Sequence, residues 1–365
     1  MIIYFIIFFI ICGFLIIPSE RKVDSALICL FFSTILLFFA GLRPRDSSTD
    51  YEIYLQMYDD LNISLSLKDL FGFTEPTFVL IGTLTKFLKL PVTIVFLVYA
   101  TIGVSIKSLS ILKYSDFIIP SFLVYYSNYF LLHEMTQIRI GVASSIFIIA
   151  VQFIVQRNMW KYFLMIGLAI LFHYSAIIYL PLYFINSASI NKVKYYIFII
   201  VSIIIGFLKI PFLDFLKYIP INVVQQKQEL YSGVLELGIV DTNINLLNPF
   251  ALIDIFICLF LLYNSKYLAT KNRYFITFLK IYIIGLCTFY LFASFPSIAF
   301  RVKEMFVVSQ FISIPFILYL FPKSKIIPTA FILLICLVYL YYNTYNTYLV
   351  KSYDFLKFIY NSSNI

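Results

Sequence analysis

The sequence predicts an all-α, polytopic integral membrane protein of about twelve transmembrane helices, and three observations carry that expectation. The 365 residues are 62% hydrophobic and only 12% charged, with a mean hydropathy of +0.95. Soluble domains have about 45–50% apolar and about 25% charged residues. Apolar segments run from one end of the chain to the other, so the whole of 1–365 reads as a single transmembrane domain. The runs are also apolar on every side. That suits helices, which bond their backbone internally, and excludes a barrel, whose strands alternate apolar and polar residues.

A spanning helix needs about 20 apolar residues. Candidate spans lie near 2–17, 25–41, 75–88, 91–106, 117–132 and 138–155. Further candidates lie near 162–185, 195–212, 249–265, 275–294, 302–320 and 326–343. The opening segment lacks a charged n-region and an A-x-A site, so it reads as a first span and not as a removed signal. Two loops, 42–74 and 213–248, are long enough to fold over the membrane surface, and both are placed outside the cytoplasm. In the first, Tyr51, Tyr54, Leu55 and Tyr58 are spaced as on a short interfacial helix. Tyr339, Tyr341, Tyr342, Tyr345 and Tyr348 read as an aromatic belt where the last span leaves the bilayer.

The net charge of +9 points to membrane surfaces and not to nucleic acid. Lys and Arg fill the short gaps between spans, without a basic patch interleaved with aromatics. Arg21 with Lys22, Lys192 with Lys194, Lys266–Arg273, and Lys323 with Lys325 all become cytoplasmic if 162–185 is one span. Lys107 and Lys113, with Arg157 and Lys161, then fall on the outer face, against the rule. Splitting 162–185 at His173 moves 156–161 inside, at the cost of another re-entrant piece. Cys12, Cys29, Cys258, Cys287 and Cys336 lie in apolar runs without C-x-x-C pairing and read as small core residues. No Gly-rich phosphate loop appears, so any reaction draws its free energy from the substrate. His133-Glu134 opens like a zinc-protease motif, but the fifth position is Gln137 and the chain has 2 His. No metal and no cofactor is expected.

Ionisable residues near membrane depth are costly and mark candidate sites. Gly41-Leu42-Arg43-Pro44-Arg45 follows directly on the second span, and two guanidiniums there suit a diphosphate, which Arg binds in two-pronged fashion. Asp50 is either a general base or a partner of Arg43 or Arg45. Glu75, before Pro76, is well explained by the helix dipole, and a ligand role is the alternative. Arg139 opens the sixth span, where snorkelling to the interface is the structural alternative. His173 lies within the apolar run Leu164–Leu182, a placement that favours a wet cavity and proton handling. Arg301 precedes a long apolar span with Lys303 and Glu304, and reads as a second phosphate ligand or an ion-pair member.

Taken in order, these residues resemble the EpsG and Wzy-like polysaccharide polymerases. Gly41-Leu42-Arg43, then Asp50-Tyr51 and Tyr54, resembles the family's first outer loop. Glu75–Phe78 resembles its E-P-x-F segment, and Arg139-Ile140-Gly141 its R-Q-G position. Phe172-His173-Tyr174-Ser175-Ala176 is similar to F-H-x-S-A, and Arg301 to a late F-R motif. Ser48 stands where Gly often precedes T-D-Y, and Gln137 comes before Arg139 instead of after it. The ordered set covers about residues 1–320.

The resemblance implies a GT-C-like fold in a bacterial inner membrane, with the active site facing outside the cytoplasm. It implies metal-independent transfer of a glycan from undecaprenyl diphosphate to a lipid-linked oligosaccharide acceptor. Flippase and chain-length regulator proteins are the implied neighbours. Arg43, Arg45, Tyr51, Glu75, Arg139 and Arg301 would then hold diphosphate or sugar, and His173 or Asp50 would act as base. A ligase needs the same diphosphate grip and remains an enzymatic alternative. A flippase or transporter is the alternative of another class, although the related halves and matching broken helices of many transporters are not found.

Overall fold

The computed structural model describes residues 1–16, 22–63, 70, 72, 74–210, 244–347, 349–351 and 353. The regular elements among the described residues are all helices, and one isolated bridge joins Ser48 to Val350. Three of these helices, Thr93–Tyr114, Ile138–Val155 and Ile326–Asn346, are long and apolar enough to cross a bilayer. The number rises to 5 if each of two bent helix pairs is one span. Shorter apolar helices include Ile2–Gly13, Ala26–Gly41, Met159–Phe172, Tyr174–Phe184 and Phe275–Leu291.

Hydropathy predicts more full-length spans than this because it reads through breaks in the backbone. The run 162–185, taken as one span, is in fact a helix Met159–Phe172 and a 3-10 helix Tyr174–Phe184. His173 sits between them in an extended conformation, φ −156° and ψ 119°. The opposite error occurs at 91–106, where the helix continues to Tyr114 and takes Lys107 into its interior. Lys107 is therefore a buried residue and not an interfacial cation.

The chain divides into two compact units. The first comprises Met1–Ala188, Lys271–Thr277 and Gln310–Ile365, and the second Ser189–Thr270 and Phe278–Ser309. The first unit begins with α1 (Ile2–Gly13), α2 (Lys22–Gly41), α3 (Tyr51–Asp59), α4 (Pro76–Phe87) and α5 (Thr93–Tyr114). Next come α6 (Ile118–Val124), a π-helix Tyr125–Glu134, α7 (Ile138–Val155) and α8 (Met159–Phe172). Helix α5 packs against both α2 and α7. A Cβ at Gly41 would lie 2.8 Å from the Leu97 backbone, so only glycine lets the end of α2 approach α5 this closely.

The predicted helix in loop 42–74 is α3, and Tyr51 and Tyr54 turn into the protein where the sequence suggests a helix lying in the interface. The last described residues return to this loop. Lys351 donates its N–H to the Ser47 carbonyl at 2.9 Å, and Thr49 donates to the Leu349 carbonyl at 3.3 Å. Most of the second predicted loop, 213–248, lies outside the described residues.

The second unit holds α9 (Lys192–Phe207), α10 (Pro249–Tyr263) and α11 (Ser265–Lys271), then most of α12 (Phe275–Leu291) and α13 (Pro296–Val307). Asparagine begins three of the helices named so far. Asn158, Asn191 and Asn248 each accept a backbone N–H three residues on, at 3.1, 3.2 and 2.9 Å. Such caps satisfy donors that the first helical turn leaves open.

Candidate functional site

Glu75 is the N-cap of α4, and Pro76 fills the first helical position, where a missing N–H costs nothing. Its side chain makes no capping bond, which leaves the carboxylate free to reach across the unit. Oε1 lies 2.7 Å from His173 Nδ1, and Oε2 is hydrogen-bonded by Arg139 Nη1. The carboxylate is almost fully buried, whereas the His173 and Arg139 side chains keep 18% and 21% of their surface. A histidine whose Nδ1 donates to a carboxylate presents Nε2 as its acceptor. The backbone break at His173 is what allows this. Its N–H still closes α8 on Ala169, while its extended conformation ends that helix. Tyr174 next to it donates to the Gly72 carbonyl at 3.2 Å, holding the turn.

Aromatic rings connect this trio to the loop after α2. The Arg139 guanidinium lies 5.6 Å from the centre of the Tyr54 ring, and Tyr54 packs on Phe78 and Phe96. Phe96 also carries Arg43, whose guanidinium lies 4.2 Å from the ring centre. Tyr51 stacks on Phe96 at 4.8 Å and completes the cage. Arg43 is 1% exposed, and its Nη1 donates to the main-chain carbonyl of Glu134 at 2.6 Å. Its Nε and Nη2 are buried with no hydrogen-bond partner among the described residues, and the same holds for Nε of Arg139. Buried donors of this kind are rare and costly when unmade.

The structure therefore brings together Arg43, Tyr51, Glu75, Arg139 and His173, with Tyr54 between them. It does not bring Arg45 into this group. Arg45 is largely exposed and pairs with Glu52 through two bonds of 2.8 and 2.9 Å. Asp50 is the half-buried N-cap of α3 and accepts from Thr49 Oγ1 at 3.3 Å. Arg301 is an exposed residue of α13 in the second unit.

Several functional candidates escaped the sequence reading. Thr77 Oγ1 donates to the Leu171 carbonyl at 2.9 Å and lies 3.1 Å from Tyr99 Oη, tying α4 to the end of α8. Glu134, which the sequence offers as part of a broken zinc motif and of the polar stretch before Arg139, pairs with Lys107, and both are buried. In the second unit Asp254 pairs with Lys303 and accepts from Tyr282. Among the described residues no group of His, Cys, Asp and Glu is placed to hold a metal ion, and all five cysteines are free.

The chain matches the EpsG family over residues 26–360. It is 26% identical over 292 residues to the amylovoran biosynthesis protein AmsC of Erwinia amylovora, a stretch covering 75% of this chain and 74% of that protein. No solved structure matches. The family match takes in every residue of the cluster, from Arg43 to His173, and on its extent the chain belongs to the EpsG family.

Proposed function

We propose that this protein is a polymerase of polysaccharide biosynthesis, a membrane glycosyltransferase that joins repeat units carried on undecaprenyl diphosphate. Three guanidinium nitrogens in one aromatic-lined cluster, buried and without an acceptor among the described residues, carry this reading. They are an incomplete set of donors, and a diphosphate supplies the oxygens they lack. EpsG membership and the amylovoran biosynthesis relative support polysaccharide assembly as the setting.

In the proposed reaction the acceptor hydroxyl attacks C1 of the donor sugar. The C1–O bond to the diphosphate breaks, and the oxygen leaves with the electron pair, its new charge met by Arg43 and Arg139. The hydroxyl proton passes to His173 Nε2, and Glu75, bonded to Nδ1, stabilises the imidazolium so formed. The aromatic walls, Tyr51, Tyr54 and Phe96, keep the cluster dry, where donors act most strongly.

Arginine-to-lysine substitutions test the grip. Lysine keeps the charge but loses the planar two-pronged donor. Arg43→Lys and Arg139→Lys should each lower polymer formation by roughly tenfold or more, with the protein still inserted at normal levels. Full polymer yield from both variants would reduce the two residues to structural anchors and sink the reading.

A further inference from the structure

We infer that Lys107 is a positioning residue that holds Arg43 and Arg139 in fixed relation. This rests on the reading of those two guanidiniums as the diphosphate grip. Lys107 is fully buried in α5, and its ammonium makes two bonds to two different elements. One, at 2.5 Å, goes to Glu134 Oε1 at the end of the π-helix. The other, at 2.9 Å, goes to the carbonyl of Gly141 in the first turn of α7.

Each of those elements carries one arginine contact. The main-chain oxygen of Glu134 is the acceptor for Arg43 Nη1. Arg139 lies two residues before Gly141 on the same helical turn. A single cation thus pins the two backbone segments from which both guanidiniums take their places. The π-helix adds to the argument, because such widened turns are rare and occur frequently at functional sites.

The surrounding packing is built for this contact. Gly103 lies one turn before Lys107, and a Cβ there would stand 3.0 Å from Glu134 Oε1. A Cβ at Gly141 would stand 3.0 Å from His133 Cβ and 3.1 Å from its carbonyl oxygen. Stability gives little reason for such a pair. Replacing a buried ion pair by well-packed hydrophobic side chains of similar volume is often harmless or stabilising. What sets this pair apart from a purely structural one is that its cation bonds the two segments from which Arg43 and Arg139 take their places.

The test is a double variant, Lys107→Met with Glu134→Gln, which removes both charges and roughly keeps the volume. The purified protein in nanodiscs is measured for thermal midpoint and for affinity towards undecaprenyl diphosphate and undecaprenyl monophosphate. The expected result is a midpoint near that of the parent, a loss of diphosphate affinity of about tenfold or more, and a diphosphate-to-monophosphate preference falling towards unity. A merely structural pair would leave that preference unchanged.

Arg43→Lys is measured alongside. Unchanged diphosphate affinity in Arg43→Lys overturns the grip itself, and the positioning role falls with it. Weakened binding in Arg43→Lys, with parent-like affinity and preference in the double variant, overturns the role of Lys107 alone. If the double variant does not accumulate, Gly103→Ala replaces it, crowding Glu134 Oε1 without removing a charge. A reduced preference then supports the inference, and an unchanged one overturns it.

Discussion

In the second unit, Asp254 has both carboxylate oxygens occupied. Tyr282 donates to Oδ1 at 2.8 Å, and Lys303 Nζ lies 2.5 Å from Oδ2 with the Phe289 ring 4.9 Å away. In the first unit Glu75 is likewise held from two sides, by His173 and Arg139. The carboxylates are equivalent; the cations are not. Lys303 keeps only 9% of its side-chain surface, whereas Arg139 keeps 21% and has a nitrogen without a partner among the described residues. Arg43 has two more. Under the proposed reading, donors without a partner among the described residues, and not buried charge as such, mark the first cluster as the one that takes an anion.

The largest effect that can break this comparison is expected at His173. A positioned acid or base contributes about 10²–10⁴-fold to a rate. His173→Ala should therefore lower polymer formation by about 10²-fold or more in cells that make the native repeat unit, at equal protein level. Glu75→Gln should fall nearly as far, since an amide cannot stabilise an imidazolium. Ordinary polymer from His173→Ala would make the first cluster as structural as the second.

The second cluster offers the next effect, and it is one of stability. Asp254→Asn leaves Lys303 buried without its countercharge, a change that costs about 3–5 kcal/mol where one partner of a buried pair is removed. The double variant with Lys303→Met should regain most of that loss and make polymer at the parent rate per folded molecule, as read by thermal midpoint and polymer yield. A stable double variant with no polymer would show that the second cluster also serves the reaction, and the rule of leftover donors would fail.

The two clusters were unequally legible in the sequence. An ionisable residue within or at the mouth of an apolar run stands out, as His173 and Arg139 do, and four of the five ordered motifs fall in or beside the first cluster. Asp254 met the same criterion inside 249–265 and was overlooked, so the signal was there. Lys107 was misplaced for another reason. The apolar run weakens near Lys107, but helix α5 continues because Lys107 finds Glu134 inside the protein. Pairings across 98 residues, such as Glu75 with His173, leave no trace in a single sequence.

The smallest effect is expected at Arg45, and it tests where the cluster ends. Arg45 and Arg43 are two residues apart in a motif that reads as a double grip, yet the structure turns them to different partners. Arg43 is buried under Phe96, whereas Arg45 extends to Glu52 with the two side chains 60% and 44% exposed. Hydrogen bonds from Arg45 hold the Glu52 carboxyl below its ordinary value. A carboxyl depressed in the folded state contributes stability above its unfolded pKa, and loses it as pH falls through the folded value. Water and salt screen a pair this open, so the contribution is small, and it is lost as acidification protonates Glu52. Arg45→Ala should accordingly leave undecaprenyl diphosphate affinity within about fivefold of the parent, the range that surface pairs span. Glu52→Gln should flatten the acid limb of the melting curve slightly and do nothing to binding. If Arg45→Ala instead weakens binding as far as Arg43→Lys, Arg45 leaves Glu52 for the ligand. The diphosphate site then reaches out of the aromatic cage into the loop, and Glu52→Gln, by freeing Arg45, should tighten binding.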